Sequence, residues 1–367
     1  MRRGLILSMG AAVLAAISAG TVEAQAPGTQ IQNGTVEVRH GTSIDREISG
    51  VPAAPDTPAW IAWRVPMIAG DRDVCSTWTT DRAYIRGTFL DDNFNFDTQK
   101  PQIAPPKMVA LEGGTNLVVL ARLIGGKVER LRSIGDDCPV DAGGRNVYWL
   151  DAVTPAESLR YLSALAQSGP TDRTLYESDR NLVSSAVSAI AYHRDAGADP
   201  ILDRIAADHR DSDIRHQAAS RLARYRGAHG VAAIAQLIST AREVNERRSL
   251  TSYLGSSQDP SVVAALRRLT TDGDKDVRSE AIYYYILRAG AQAVPDALKT
   301  FASDKDENVR KRAVSAIGRL PADVAIPNLL QLARTSTDPV VRKQAVSALS
   351  QSKDPRAVAY LEELIKR

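Results

Sequence analysis

Asp274-Lys275-Asp276-Val277-Arg278, followed by Ala281 and Tyr285, is one rung of a ladder that runs from Asp179 to Leu349. The aligned residues Val183, Arg215, Arg247, Arg278, Arg310 and Arg342 stand 32, 32, 31, 32 and 32 positions apart. Four residues before each stands an acid: Asp179, Asp211, Glu243, Asp274, Asp306 and Asp338. Three after comes a small or apolar residue (Ala186, Ala218, Leu250, Ala281, Ala313, Ala345), and seven after a large one (Ile190, Leu222, Leu254, Tyr285, Ile317, Leu349). A fixed period of this length with apolar residues at helical spacing predicts a stack of helix pairs, none of which can bury its apolar face alone.

Within each unit a first helix opens on a turn signal, as at Asp199-Pro200, Asp259-Pro260 and Asp354-Pro355. A short acidic loop and a second helix carrying the rung arginine follow. The acid four residues before the arginine is placed to cap that helix, satisfying free backbone N–H groups at the positive end of the dipole. It is also placed to meet the arginine of a neighbouring unit, so that acids and arginines alternate along the stack. Six pairs are expected, the last covered by a helix from Pro355 to Ile365 that turns Glu362, Glu363, Lys366 and Arg367 to water.

These units resemble HEAT repeats, of the short kind also found in phycobiliprotein lyases. The residues that carry the resemblance are Asp211-Ser212-Asp213-Ile214-Arg215, Asp274 to Arg278, Asp306-Glu307-Asn308-Val309-Arg310 and Asp338-Pro339-Val340-Val341-Arg342, over roughly residues 155–367. Two units depart: Val183 replaces the arginine in the first, and the third reads Glu243-Val244-Asn245-Glu246-Arg247 with Leu250 for alanine. The resemblance implies an α-solenoid that binds other proteins, with the second helices on its concave face. It does not imply lyase chemistry.

Ahead of the ladder the texture differs. Residues 1–24 read as a secretory signal, with Arg2 and Arg3 at the start, an apolar middle from Leu5 to Ala19, and Val22-Glu23-Ala24 at the exit. The apolar run is too short for a membrane span. The expected location is periplasmic or extracellular. Residues 25–57, rich in Gly, Thr, Pro and Ala, read as a flexible lead-in that lends one strand, Thr35 to Arg39. Residues 58–152 read as a small, mainly β domain holding Trp60, Trp63, Trp78 and Trp149, with strands at Ala59–Val65, Asn116–Leu123, Lys127–Ile134 and Asn146–Leu150. Gly125-Gly126 supplies the positive φ angles of a tight hairpin turn. Thr154-Pro155-Ala156-Glu157 then opens the helical part, 153–367, with a capping box. The fold class expected is α+β multidomain, a mainly β N-terminal domain followed by an all-α superhelix. Residues 59–150 also resemble, through Cys138-Pro139-Val140-Asp141-Ala142-Gly143-Gly144 and Trp149-Leu150, a module that precedes HEAT repeats in uncharacterised secreted bacterial proteins; this brings no function.

Cys75 and Cys138 are the only cysteines. In an exported protein such a pair reads as a disulfide ahead of a reactive thiol, and two thiols alone do not complete a zinc shell. The formal net charge is +3 and falls to +2 without the leader, which argues against bulk electrostatic binding of nucleic acid.

The second-helix positions give the candidate binding residues. Five after the rung come Ser188, Ser220, Ser252, Tyr283, Ser315 and Ser347; one after come Ser184, His216, Arg248, Ser279, Lys311 and Lys343; two after come Ser185, Gln217, Ser249, Glu280, Arg312 and Gln344. The groove expected is polar and mildly basic. Tyr283 is its aromatic anchor, with Arg248, Lys311, Arg312, His216 and Lys343 as charged contacts for an extended or acidic segment of a protein partner.

Catalytic patterns are missing. His40, His193, His209, His216 and His229 have no metal-ligand spacing and read as surface or capping residues. There is no phosphate loop and no nucleophile elbow. Asp91 to Asp97 alternates oxygen ligands as a calcium loop does, but Phe96 stands where the turn glycine belongs and Gln102 at the twelfth position, so a polar turn is expected. Alternation of Asp272, Asp274 and Asp276 follows from the repeat. The reading is a non-enzymatic scaffold without cofactor or metal; the alternative is an enzyme or enzyme accessory with its site in the N-terminal domain, around the tryptophans.

Overall fold

The computed structural model describes residues 31–52, 57–69, 75–78, 84–86, 88–90, 114–168 and 178–366. The expected leader and the acidic turn at 91–97 lie outside these residues.

Among the described residues, ten strands and one short helix come first: β1 Ile31–Gln32, β2 Thr35–Arg39, α1 Ile44–Ser49, β3 Ala59–Pro66, β4 Ser76–Trp78, β5 Tyr84–Arg86, β6 Thr88–Phe89, β7 Asn116–Ile124, β8 Lys127–Gly135, β9 Val140–Asp141 and β10 Asn146–Leu150. The main sheet has the order β2-β10-β3-β7-β8, with β10 parallel to both its neighbours and the remaining pairs antiparallel. Gly125 and Gly126 turn β7 into β8 with φ of 56° and 78°, as a two-residue hairpin of type I′ requires. Period-2 alternation sends Ile61, Trp63, Val65, Leu117, Val119 and Ala121 to one face and Trp60, Ala62, Val118, Leu120, Val147 and Trp149 to the other. Both faces are buried, which is why β3 and β7 read as nearly unbroken apolar runs. The second face is closed by the β1-β9-β6 sheet and by the disulfide joining Cys75 and Cys138 across 63 residues.

Residues 31–52 correct the expectation of a flexible lead-in. β1 pairs with β9, β2 pairs with β10 along all five of its residues, and α1 buries Ile44 and Ile48 in the main core. The backbone N–H of Ile44 donates to Glu157, at 3.0 Å. The partner strand lies more than a hundred residues downstream, so the local pattern shows a strand but nothing that holds it.

The helices follow as first and second members of each pair: α2 Pro155–Ser168 and α3 Ser178–Tyr192; α4 Ala198–Asp208 and α5 Ser212–Tyr225; α6 Gly227–Thr240 and α7 Val244–Ser256; α8 Val262–Leu269 and α9 Lys275–Ala289; α10 Val294–Lys299, between two 3₁₀ turns, and α11 Glu307–Ile317; α12 Ala322–Thr335 and α13 Pro339–Ser350; then α14 Pro355–Ile365. This is an α-solenoid. Second helices pack on one another throughout the stack, whereas first helices touch only lightly. Beyond the polar residues expected to face water, α14 also exposes Val358, Leu364 and Ile365.

One hydrophobic core runs from the first sheet face through every helix pair, so no break in the core coincides with residue 152. The departure at Val183 now has a reason. Its helix, α3, packs against β7 and β8, and Val183 is buried in the shared core. The sheet stands where a preceding unit would, giving the stack the cover a terminal repeat needs.

Four rung acids cap their helices: Asp211, Asp274, Asp306 and Asp338 accept backbone N–H groups. Glu243 occupies the cap position without such a bond, its extra methylene being unsuited to the geometry. Each of Arg215, Arg278, Arg310 and Arg342 donates to carbonyls of its own loop, for example Arg278 to Asp272 at 2.8 Å and Gly273 at 3.1 Å. The alternation between units is only partly as expected. Arg310 does meet the next cap acid, Asp338, at 2.6 Å, but Arg247 pairs with Asp272, and Arg278 with Asp304 at 3.0 Å. Asp272 and Asp304 stand two residues before the cap. In each, Oδ1 accepts the cap residue's N–H and Oδ2 accepts from the preceding arginine; in Asp304, Oδ1 also accepts from Arg278 Nη2, at 3.1 Å. Ser336 holds that position in the next loop and Ala241 in the loop before α7. Accordingly Arg310 reaches on to Asp338, and Arg215 has no carboxylate partner among the described residues. Burial would raise the Asp304 carboxyl, but the Arg278 bonds, the Asp306 N–H and the charges of Arg278 and Lys305 together hold it below its ordinary value.

Candidate functional site

The candidate site is the surface formed by the second helices. Positions two, five, six and nine after the rung share one side of each helix, because steps of three and four residues return to the same face. The serine row is half-buried as far as Ser315 and partly used in holding neighbours together. Gln217 donates to the Ser184 carbonyl at 2.9 Å and to Ser188 at 3.2 Å, and Gln344 donates to Ser315 at 3.0 Å.

Tyrosines interrupt this polar surface in several units. Tyr192 and Tyr225 bring their rings to 5.1 Å across α3 and α5. Tyr253 lies 6.0 Å from the His216 ring. The Tyr284 hydroxyl is 3.2 Å from Ser252, and its ring lies on the backbone of Gly255, where an added Cβ would come within 2.1 Å of it. Tyr283 meets Tyr284 edge-on at 5.3 Å and carries the Arg312 guanidinium 3.8 Å above its ring.

Of the residues expected to bind, Tyr283 and Arg312 are thus brought together, and Arg312 also pairs with Glu280 at 3.2 Å. Lys311 turns to Glu307 at 2.5 Å, and His216 to Glu246 at 2.6 Å. Arg248 and Lys343 are exposed, with no carboxylate partner among the described residues. The six residues belong to α5, α7, α9, α11 and α13, so they are strung along the stack and do not converge. Tyr192, Tyr225, Tyr253, Tyr284, Arg221 and Arg224 are additions to the expected set. They occupy positions six, nine and ten after the rung, and extending the helical period from the serine row would have found most of them. Two clefts, of about 290 Å³ beside α2 and α4 and about 380 Å³ between α11, α12 and α13, lie away from these tyrosines.

The tryptophans named for the enzymatic alternative are core residues where described: Trp60 and Trp149 under the second sheet face, Trp63 under the first. Trp63 Nε1–H donates to Ser158 Oγ at 2.8 Å, and Ser158 Oγ lies 2.9 Å from His193 Nε2. His193 is fully buried, which corrects its reading as a surface or capping residue. Its Nδ1 lies 2.8 Å from the Ala189 carbonyl and must donate there, so Nε2 accepts from Ser158 and the neutral ring completes the chain of bonds. Burial, with Arg226 nearby, holds its pKa down at about 4, against weaker raising effects of the Ala189 carbonyl and Asp195. Because the folded value lies below the unfolded one, stability is full at neutral pH and falls between about 6.5 and 4, by up to about 3 kcal/mol. Urea midpoints measured across that window should drop more steeply for the native chain than for His193→Gln. Equal slopes would remove His193 from the account. No group of side chains able to hold a metal ion occurs among the described residues, and no described helix is long and apolar enough to cross a membrane.

Residues 294–367 match the HEAT repeats family. No curated protein matches the chain by sequence. Among solved structures the chain is similar to human deoxyhypusine hydroxylase, at 15% identity over 56% of this chain and 90% of that one, with a TM-score of 0.30. It is similar to the complex of CpcE and CpcF of phycocyanin lyase from Nostoc, at 20% identity over 43% of this chain and 100% of that one, with a TM-score of 0.31. It is also similar to Kap121p, at 14% identity over 57% of this chain and 27% of that one, with a TM-score of 0.35.

Proposed function

We propose that this protein is an exported interaction scaffold that binds a protein partner along the concave side of its solenoid, the side made by the second helices. The observation that carries the reading is the line of half-buried tyrosines across α3, α5, α7 and α9, set among serines and arginines. Tyrosine and arginine are the residue types that most often dominate binding energy in partner interfaces. Curvature supports the choice of side, since close packing among second helices and sparse packing among first helices bends a stack toward the former. Export is supported by the leader pattern and by the disulfide, a bond of oxidising compartments.

The test begins with the native complex purified from its source, which names the partner. Replacing Tyr283 and Arg312 together by alanine is expected to weaken that partner's binding at least about tenfold, a loss ordinary for an interface anchor. Undiminished affinity in a variant that melts normally would retire the second-helix face. The mature chain in the same preparation is expected to lack residues 1–24, read by its intact mass.

A further inference from the structure

We propose that Tyr192, Arg221, Arg224 and Tyr225 form an anion subsite that takes carboxylate side chains of an extended acidic polypeptide lying along the second-helix face. The inference rests on the scaffold reading and narrows the partner by its charge.

The four residues meet where the ends of α3 and α5 lie side by side. The Arg221 guanidinium stands 5.7 Å from the Tyr225 ring and 6.0 Å from the Tyr192 ring, which are themselves 5.1 Å apart. The cluster has more donors than acceptors. The guanidiniums of Arg221 and Arg224 only donate, and the phenols of Tyr192 and Tyr225 each carry an O–H to give. Burial alone would raise the Tyr225 phenol, but the neighbouring Tyr192 hydroxyl and the Arg224 and Arg221 guanidiniums hold it below its ordinary value. Tyr192 is pushed up to about 12, mainly by burial. Arg221 Nε is withdrawn from water without a hydrogen-bond partner. Neither Arg221 nor Arg224 has a carboxylate partner among the described residues, whereas the adjacent Arg226 is bound to Asp199. An arrangement rich in donors and positive charge, with no carboxylate of its own among the described residues, is complementary to an anion.

The rest of the face separates a polypeptide from a nucleic acid. Glu246, Glu280 and Glu307 are spaced along it, each matched to a cation of the protein, namely His216, Arg312 and Lys311. A uniformly charged phosphate backbone would run against all three, and the net charge of +3 offers little to offset them. A peptide can place acids opposite Arg221 and Arg224 and polar or apolar side chains opposite the tyrosines beyond.

The experiment uses the full chain and a fluorescently labelled oligoglutamate peptide whose glutamates are spaced by serines, with labelled oligothymidylate of equal total charge as the second probe. Oligoglutamate is expected to bind in low salt, and the double variant Arg221→Gln/Arg224→Gln to weaken it at least about tenfold. The Arg221→Lys/Arg224→Lys variant should keep the charge and recover part of the affinity. Circular dichroism and melting confirm that each variant folds. Equal affinity of the glutamine variant and the parent chain would overturn the subsite while leaving the scaffold reading intact. Tighter binding of oligothymidylate than of oligoglutamate would overturn the acidic polypeptide. If Tyr283→Ala/Arg312→Ala leaves the native partner bound while oligoglutamate still depends on Arg221 and Arg224, the scaffold anchor fails and this subsite stands.

Discussion

Alanine at Gly230 is expected to destabilise the chain by about 3 kcal/mol or more, because the added carbon has nowhere to go. Gly230 lies in the first turn of α6, where that helix leaves α5 after Gly227 turns the chain with φ of 53°. A Cβ there would stand 1.9 Å from the Leu222 carbonyl oxygen and 2.6 Å from its carbon. Leu222 is a buried ladder residue in the middle of the stack, so its backbone cannot retreat without separating α5 from α6. Gly273 is the control. An added Cβ at that position meets nothing within 4 Å, and its φ is not in the left-handed region. Gly273→Ala is expected to be neutral or slightly stabilising, by up to about 1 kcal/mol, through the unfolded chain. Urea unfolding of both variants decides it; a Gly230→Ala chain as stable as its parent would show that the two helices do not approach as described.

Removal of the disulfide should have an effect of similar size by another route. Cys75 and Cys138 close a loop across 63 residues, and opening it restores freedom to the unfolded chain worth roughly 4 kcal/mol in the chain-entropy account. The bond also pins the smaller core, where Trp60, Leu120 and Trp149 pack beneath the sheet of two-residue strands β1, β9 and β6, which cannot hold itself. Cys75→Ala/Cys138→Ala, or reductant added to the native protein, is expected to lower the urea midpoint markedly. Hydrogen exchange should quicken first in β9 and β10, ahead of the distal helices from α11 onward. A midpoint that ignores reductant would show that the bond contributes little to holding the sheet.

The solenoid was legible because its causes are local and recur. Acid caps such as Asp274 and Asp306, loop-closing arginines such as Arg278, and apolar residues at helical steps all act within one unit and reappear at the next. The hairpin at Gly125-Gly126 was legible for the same reason: its turn dictates its residues. Much of the candidate face was not. Tyr283 stood out as an exception in a row of serines, but Tyr192, Tyr225 and Tyr253 fall at different positions in their units. Only the packing of neighbouring helices brings them into contact with one another or with His216.

The period of the chain dictated helix pairs, their number and their stacking, since each pair must find an identical neighbour to bury its apolar side. Three things waited for the folded chain: that β2 reaches β10 across a hundred residues, that the sheet replaces a missing unit beside Val183, and that rung arginines choose Asp272 and Asp304 over the caps. Each depends on which distant group happens to arrive beside a residue, and that is settled by the geometry of packing, not by the order of neighbours along the chain.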